Sequence, residues 1–360
     1  LMYRFVEQPF RHGFALSLVP GTVLRRGSVV LASLVLALAG VGIAPDATSA
    51  EPGTSDDPGI GVVTPSPSPS AVPVSPSPTP WAPISIGGTT VHQLTGAVPA
   101  NIKPALGRAA GDADNILNKK CSRDHYGETV PVCFYGTKGG TRIVLLGDSH
   151  ALHWMPALDA IGKAYNYEII PIAKVNCAFM DVKLYAYRLG KSYASCTKWR
   201  ANVVTKIAQL NPALVILAHT WYREEGKPNE IRPQYYADAV GRMLDKIPFP
   251  TLIFSDTPFG QNNIPTCLAR NRSNVAKCVV TRAAAYGQRG HARDLLVAEQ
   301  RNLPIFDFTA ALCPGTKCAP IIDGRVVFHD HHHLTTTMSK YLATPLGAAL
   351  SQVIANLLPR

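Results

Sequence analysis

Residues Thr141–His153 read TRIVLLGDSHALH, and the turn in the middle of this stretch decides the fold. Arg142 to Leu146 is a short run dominated by aliphatic residues, the pattern of a strand buried on both faces. Gly147 can take backbone conformations closed to other residues, and from Ala151 the pattern becomes helical. Ser149 therefore falls on a strand-to-helix turn. Its hydroxyl stands at the carboxyl end of a strand, near amides able to hydrogen-bond a developing oxyanion. A serine hydroxyl is a weak nucleophile on its own, so a catalytic reading requires a general base elsewhere. The alternative is a turn serine that caps the following helix.

Phe328–Leu334, FHDHHHL, offers that base, with Asp330 and His333 three residues apart ahead of a helical run. An imidazole accepts the serine proton, and a carboxylate on its other nitrogen fixes the tautomer. Gly-Asp-Ser near the start of an α/β region, with Asp-x-x-His-Leu near its end, resembles the SGNH hydrolase family. The resemblance implies that Ser149 is the nucleophile, Asp330 the orienting acid and His333 the base. Hydrolases of that family usually complete the oxyanion hole with a glycine after the second strand and an asparagine after the third. Here those places hold Ala173-Lys174-Val175-Asn176-Cys177 and Ala218-His219-Thr220-Trp221. Cysteine in the first loop and tryptophan in the second are similar to the extracytoplasmic SGNH domains attached to family 3 acyltransferases. That likeness covers roughly residues 115 to 350 and includes Asp256-Thr257-Pro258. The expected oxyanion donors are the Ser149 amide first and Asn176 second.

Helical and strand patterns alternate beyond the turn. Helices are expected over 151–165, 195–210, 234–247, 281–300 and 336–358, and strands over 167–172, 213–218, 251–255 and 305–308. Strands separated by helices imply right-handed crossovers, a mainly parallel sheet and helices on both faces. The predicted fold is an α/β three-layer α/β/α sandwich of the SGNH/flavodoxin-like kind. Ligands gather at the carboxyl ends of strands in such sheets, where Ser149, Asn176, His219 and Asp256 fall.

The amino-terminal part has a different character. Met2–Arg11, MYRFVEQPFR, resembles the end of the membrane domain of family 3 acyltransferases, so residues 1–21 are expected to be a remnant of such a domain. The resemblance implies the carboxyl-terminal part of a longer enzyme. Arg25 and Arg26 precede the uncharged run Gly27–Ala44, and residues 22–45 are expected to form one transmembrane helix with its amino end cytoplasmic. The competing reading is a secretory signal cleaved after Ala50. Residues 46–100, which include TPSPSPSAVPVSPSPTP, are expected to be a disordered Pro/Ser-rich linker. The catalytic domain is assigned to 101–360, outside the cell membrane.

Eight cysteines fall into four sequential pairs: Cys121 with Cys133, Cys177 with Cys196, Cys267 with Cys278, and Cys313 with Cys318. An even count confined to an external domain argues for disulfides. The net charge of +11 is spread out, without an aromatic-interleaved basic stripe, so nucleic acid is not expected as a partner. The histidines around Asp330 are read without a metal, because only His333 has the expected spacing. Asp148 and His150 are read as turn-stabilising, Trp154 and Trp199 as core, and Trp221 as a residue able to stack on a sugar. Asn271-Arg272-Ser273 fits a glycosylation sequon.

The expected activity is transfer of an acyl group, such as acetyl, to an envelope carbohydrate through an acyl-serine. The alternatives are a carbohydrate esterase and a non-catalytic glycan-binding module. No cofactor is expected on this domain. The family resemblance implies acetyl-CoA as the ultimate donor, reached through a membrane acyltransferase partner or upstream portion.

Overall fold

The computed structural model describes residues 82–87, 91–113, 120–220, 222, 224–225, 231–287 and 290–358. The chain divides after Pro73 into two units, and every described residue belongs to the second, Val74–Arg360. The expected membrane-domain remnant, the anchor Gly27–Ala44 and most of the Pro/Ser-rich linker lie outside the described residues. Among those described, no helix is long and apolar enough to cross a membrane.

The main strands, in chain order, are β1 (Ile84–Ser85), β2 (Tyr135–Gly136), β3 (Thr141–Gly147), β4 (Tyr167–Ala173), β5 (Leu214–Ala218), β6 (Thr251–Phe254) and β7 (Ile305–Asp307). They form a seven-stranded sheet in the order β1-β7-β6-β5-β3-β4-β2. Every neighbouring pair is parallel except β2, which runs antiparallel along β4. The helices that cover it are α1 (Ser149–Leu152), α2 (Met155–Tyr165), α3 (Ala194–Leu210), α4 (Pro233–Leu244), α5 (Gly290–Arg301), α6 (Thr336–Tyr341) and α7 (Ala343–Leu357).

Alternation along β3 builds the two faces of the core. Ile143 and Leu145 join Leu158 and Ile161 of α2 and Leu346 and Leu350 of α7 in one apolar cluster. Val144 and Leu146 join Trp199, Val203, Val240 and Val297 of α3, α4 and α5 in the other. Four consecutive aliphatic side chains are thus buried on a strand with helices over both faces. At about 1.5 to 3 kcal/mol for each fully buried side chain, this strand is among the costliest segments to disturb. The three-layer α/β/α architecture follows, as the sequence predicts.

Three expected helices are interrupted, and proline accounts for two of the breaks. The run 151–165 becomes α1 and α2, because Pro156 has no amide proton and its ring crowds the carbonyl four residues back. The run 336–358 becomes α6 and α7, with Pro345 acting in the same way just inside α7. The expected helix 281–300 is also divided: Val280–Thr281 pairs with Lys317–Cys318, Arg282–Tyr286 forms a short helix, and α5 begins at Gly290. Residues 82–87 and 91–100, assigned from sequence to the linker, belong to the folded body. β1 extends the sheet edge beside β7, and His92–Gln93 pairs with Ile321–Ile322.

All eight cysteines are paired as expected, with Cα–Cα distances of 5.6, 5.7, 5.8 and 4.4 Å in chain order. Cys177–Cys196 matters most for the site, because it ties the loop after β4 to the first turn of α3.

Candidate active site

Gly147 ends β3 where no side chain fits: a Cβ there would lie 1.7 Å from the Ala218 carbonyl oxygen of β5. The chain then turns through Asp148 into α1, with Ser149 as its first residue. Asp148 is fully buried and gathers three donors. Its Oδ1 accepts from the His150 amide at 2.7 Å, and its Oδ2 from the Thr220 amide at 3.0 Å and from the Tyr222 hydroxyl. The turn that carries Ser149 is thereby tied to the loop after β5.

The opposing loop is closed by its apolar ends. Phe328 and Leu334 are buried and pair as an antiparallel bridge, and the His329 amide donates to the His333 carbonyl at 2.9 Å. The loop is also held from the side, by the Gly260 amide on the His331 carbonyl and the Ile264 amide on the Asp330 carbonyl. Inside it, Asp330 Oδ1 accepts from the His332 and His333 amides, each at 2.8 Å. Its Oδ2 meets His333 Nδ1 at 2.7 Å, and His333 Nε2 meets Ser149 Oγ at 2.8 Å. A carboxylate accepts, so Nδ1 carries the proton and Nε2 is free to accept from the serine hydroxyl. The His333 and Asp330 side chains keep 18% and 27% exposure, so the constellation is open to a substrate.

Burial pushes the Asp330 carboxyl up, but the hydrogen bond from His333 and the charges of His333 and His332 hold it far below the usual carboxylate range. His332 is pushed well down by burial and by neighbouring His150.

The structure therefore brings together Ser149, Asp330 and His333, named from sequence. Asn176 lies in the loop after β4, in a left-handed conformation with φ 54°. That loop is pinned by Lys174, whose buried Nζ donates to the Asp124 and Gly127 carbonyls at 2.6 and 2.7 Å, and by Tyr193, whose hydroxyl donates to the Val175 carbonyl at 2.6 Å. Trp154 and Trp199 are core residues, whereas Trp221 lies outside the described residues. The Asn271 side-chain amide donates to the Cys267 carbonyl at 2.9 Å, which engages the nitrogen a glycan would take.

Sequence reasoning missed the second role of His150. Its backbone stabilises the turn as expected, but its ring lies between Asp256, 2.6 Å from Nδ1, and His332, 2.5 Å from Nε2. The available signal was that Asp256 ends the strand next but one to β3, on the same edge of the sheet. Metal-capable atoms of His150, His332 and His333 come within 4.8 Å of one another. His333, however, has Nδ1 on Asp330 and Nε2 on Ser149 and would join an ion only by leaving both.

A mainly parallel α/β/α sandwich with serine, histidine and aspartate assembled at the carboxyl end of β3 has the architecture of the SGNH hydrolase class. A family model described as an SGNH domain fused to AT3 domains matches residues 120–347, and the chain belongs to that family. Among solved structures, it is similar to the periplasmic domain of a lipopolysaccharide acetyltransferase from Salmonella ser. Paratyphi A. The two share 15% identity over 60% of this chain and 85% of the other, with a TM-score of 0.46. A GDSL-like lipase from Bacteroides thetaiotaomicron shares 14% identity over 61% of this chain and 89% of its own, with a TM-score of 0.37. A lipase/acylhydrolase from Enterococcus faecalis shares 12% identity over 61% of this chain and 98% of its own, also with a TM-score of 0.37. No curated protein matches the chain.

Proposed function

We propose that this chain carries the extracytoplasmic acyl-handling domain of an O-acyltransferase, which moves an acyl group, most simply acetyl, onto an envelope carbohydrate. The observation that carries the reading is the continuous set of contacts from Ser149 Oγ through His333 to Asp330. His333 takes the Ser149 proton as the serine oxygen attacks the donor ester, and the imidazolium returns it to the leaving alcohol. A sugar hydroxyl then gives its proton to His333, attacks the acyl-serine and leaves as the new ester, with the proton returned to Ser149. Asp330 holds the tautomer and supports the imidazolium. The amides of Ser149 and Asn176 are proposed as oxyanion donors.

The family's association with AT3 domains supports acyl transfer and a membrane acyltransferase portion or partner, and we propose acetyl-CoA as the ultimate source. Four disulfides support an oxidising, external location. The test is intact-mass spectrometry of the chain with p-nitrophenyl acetate, with and without an acceptor oligosaccharide. A 42 Da adduct on Ser149, the approximate mass of one acetyl group, that is discharged faster by the sugar than by water supports transfer. Discharge by water alone would assign an esterase, and an adduct that persists in Ser149→Ala would remove the catalytic reading. His333→Ala should abolish turnover as Ser149→Ala does, whereas Asp330→Asn leaves a residue of activity because the base remains.

A further inference from the structure

Beneath the Ser149–His333–Asp330 set runs a second chain of hydrogen bonds that the acyl-transfer steps do not use. His150 and Asp256 are buried, with 2% and 3% of their surfaces exposed, and their side chains meet at 2.6 Å. Asp256 is itself built into place. Its Oδ2 accepts from the Thr220 hydroxyl at 3.0 Å, its Oδ1 from the Thr257 amide at 2.9 Å, and its own amide donates to Asp294 Oδ2 at 2.8 Å. Gly290 packs so closely that a Cβ there would lie 2.3 Å from Asp256 Oδ2. At the other end, His332 stacks on Phe259 with ring centroids 4.8 Å apart and lies 3.9 Å from the ring of His333.

Building on the catalytic reading of Ser149 and His333, we propose that Asp256, His150 and His332 form a buried positioning relay for the base of the triad. In it His150, braced by Asp256, holds His332 in place, and thereby sets the stance of His333 and the acid limb of the pH–rate profile. The protons can be placed from the contacts. Asp256 accepts, so His150 Nδ1 carries a proton, and the 2.5 Å contact between His150 Nε2 and His332 Nδ1 holds one more. Burial pushes His150 down, but the charge and hydrogen bond of Asp256 more than offset it and raise the group above its ordinary value. Burial first and His150 next push His332 down, the direction that favours His150 as the donor and His332 as the acceptor.

Other groups facing His150 agree with this placement. Asp148 and Asp330 add to the pull of Asp256. His153 and His219 are lowered, by burial first, and His153 also by His150 itself. His333 is the remaining neighbour, its ring centroid 5.1 Å from that of His150.

At an effective dielectric of about 20, a unit charge at about 5 Å changes a neighbour's proton affinity by roughly two pH units, and solvent on one side lowers this to about one. His150→Gln should therefore move the acid limb of the pH–rate profile up by about 1 pH unit and, by loosening the base, lower kcat about tenfold to a hundredfold with KM unchanged. Asp256→Asn removes an anion and lets His150 lose its proton, so its acid limb should move less. His332→Phe keeps the ring stack at a partly buried position but loses the acceptor nitrogen. It should lower kcat about tenfold or more at an unchanged melting temperature, and so tests the clamp even if the buried variants do not fold.

The experiment uses p-nitrophenyl acetate, with active sites counted by a fluorophosphonate probe on Ser149. Failure of the wild-type chain to label would overturn the catalytic reading and the relay with it. A labelled wild type alongside folded His150→Gln and His332→Phe variants, with kcat within twofold and the acid limb unmoved, would overturn the relay alone.

Discussion

Asp148→Asn changes no shape, yet it removes the acceptor on which three buried donors converge. Asparagine presents one oxygen and one amide nitrogen. If the oxygen faces Thr220 and Tyr222, the nitrogen faces the His150 amide; if it faces His150, the nitrogen faces the Thr220 amide. In either orientation one buried backbone N–H points at another donor, and at least one bond to a carboxylate is lost. A hydrogen bond to a charged group contributes about 1.5 to 3 kcal/mol, and the stranded donor adds to the loss, so the cost should be about 2 to 4 kcal/mol. For a domain of this size that corresponds to a fall in melting temperature of about 5 to 12 °C. The assay is thermal unfolding followed by circular dichroism, with Asp238→Asn on the exposed face of α4 as the matched control. The turn carries Ser149, so fluorophosphonate labelling of the variant should slow as well. An Asp148→Asn chain that melts within 2 °C of the wild type would refute the account of this turn (on the order of the control's own scatter).

Two more perturbations test other parts of the structure. Intact protein should show no free thiol after denaturation without reductant, and peptide mapping should recover the four sequential links; two or more free thiols per chain would contradict the pairing. Burial pushes Asp307 up, but hydrogen bonds from His291 and Thr309 bring it down to about 2 from 3.8. Its stabilising contribution is therefore complete above its unfolded value and is lost as pH falls through about 2, so the melting temperatures of wild type and Asp307→Asn should converge between pH 3.8 and 2. A gap that stays constant over that window would refute the assignment.

The parts of the fold legible in the sequence were those with long, two-sided apolar patterns. β3, β4 and β5 announced themselves because burial on both faces demands unbroken aliphatic runs. β1 and β2 did not, since a two-residue strand has no period to read and takes its conformation from the neighbour it pairs with. The breaks at Pro156 and Pro345 were available from residue chemistry, but apolar spacing continues across them and masked the stop. At the site, Ser149, Asp330 and His333 could be named because two short motifs carry them. His150 and Asp256 could not be joined, because nothing local indicates that residues 106 positions apart will share a proton.

The proposed nucleophile and its proposed base also differ in when they become available. Ser149 opens α1 just after β3, while Asp330 and His333 come from a single loop, His333 lying 184 positions farther on. A polypeptide made from its amino end exposes the serine long before it possesses the base. In the proposed mechanism, the Ser149 hydroxyl has its base only once the loop closed by Phe328 and Leu334 is in place. A chain cut short before His333 would therefore carry Ser149 without the base proposed for it.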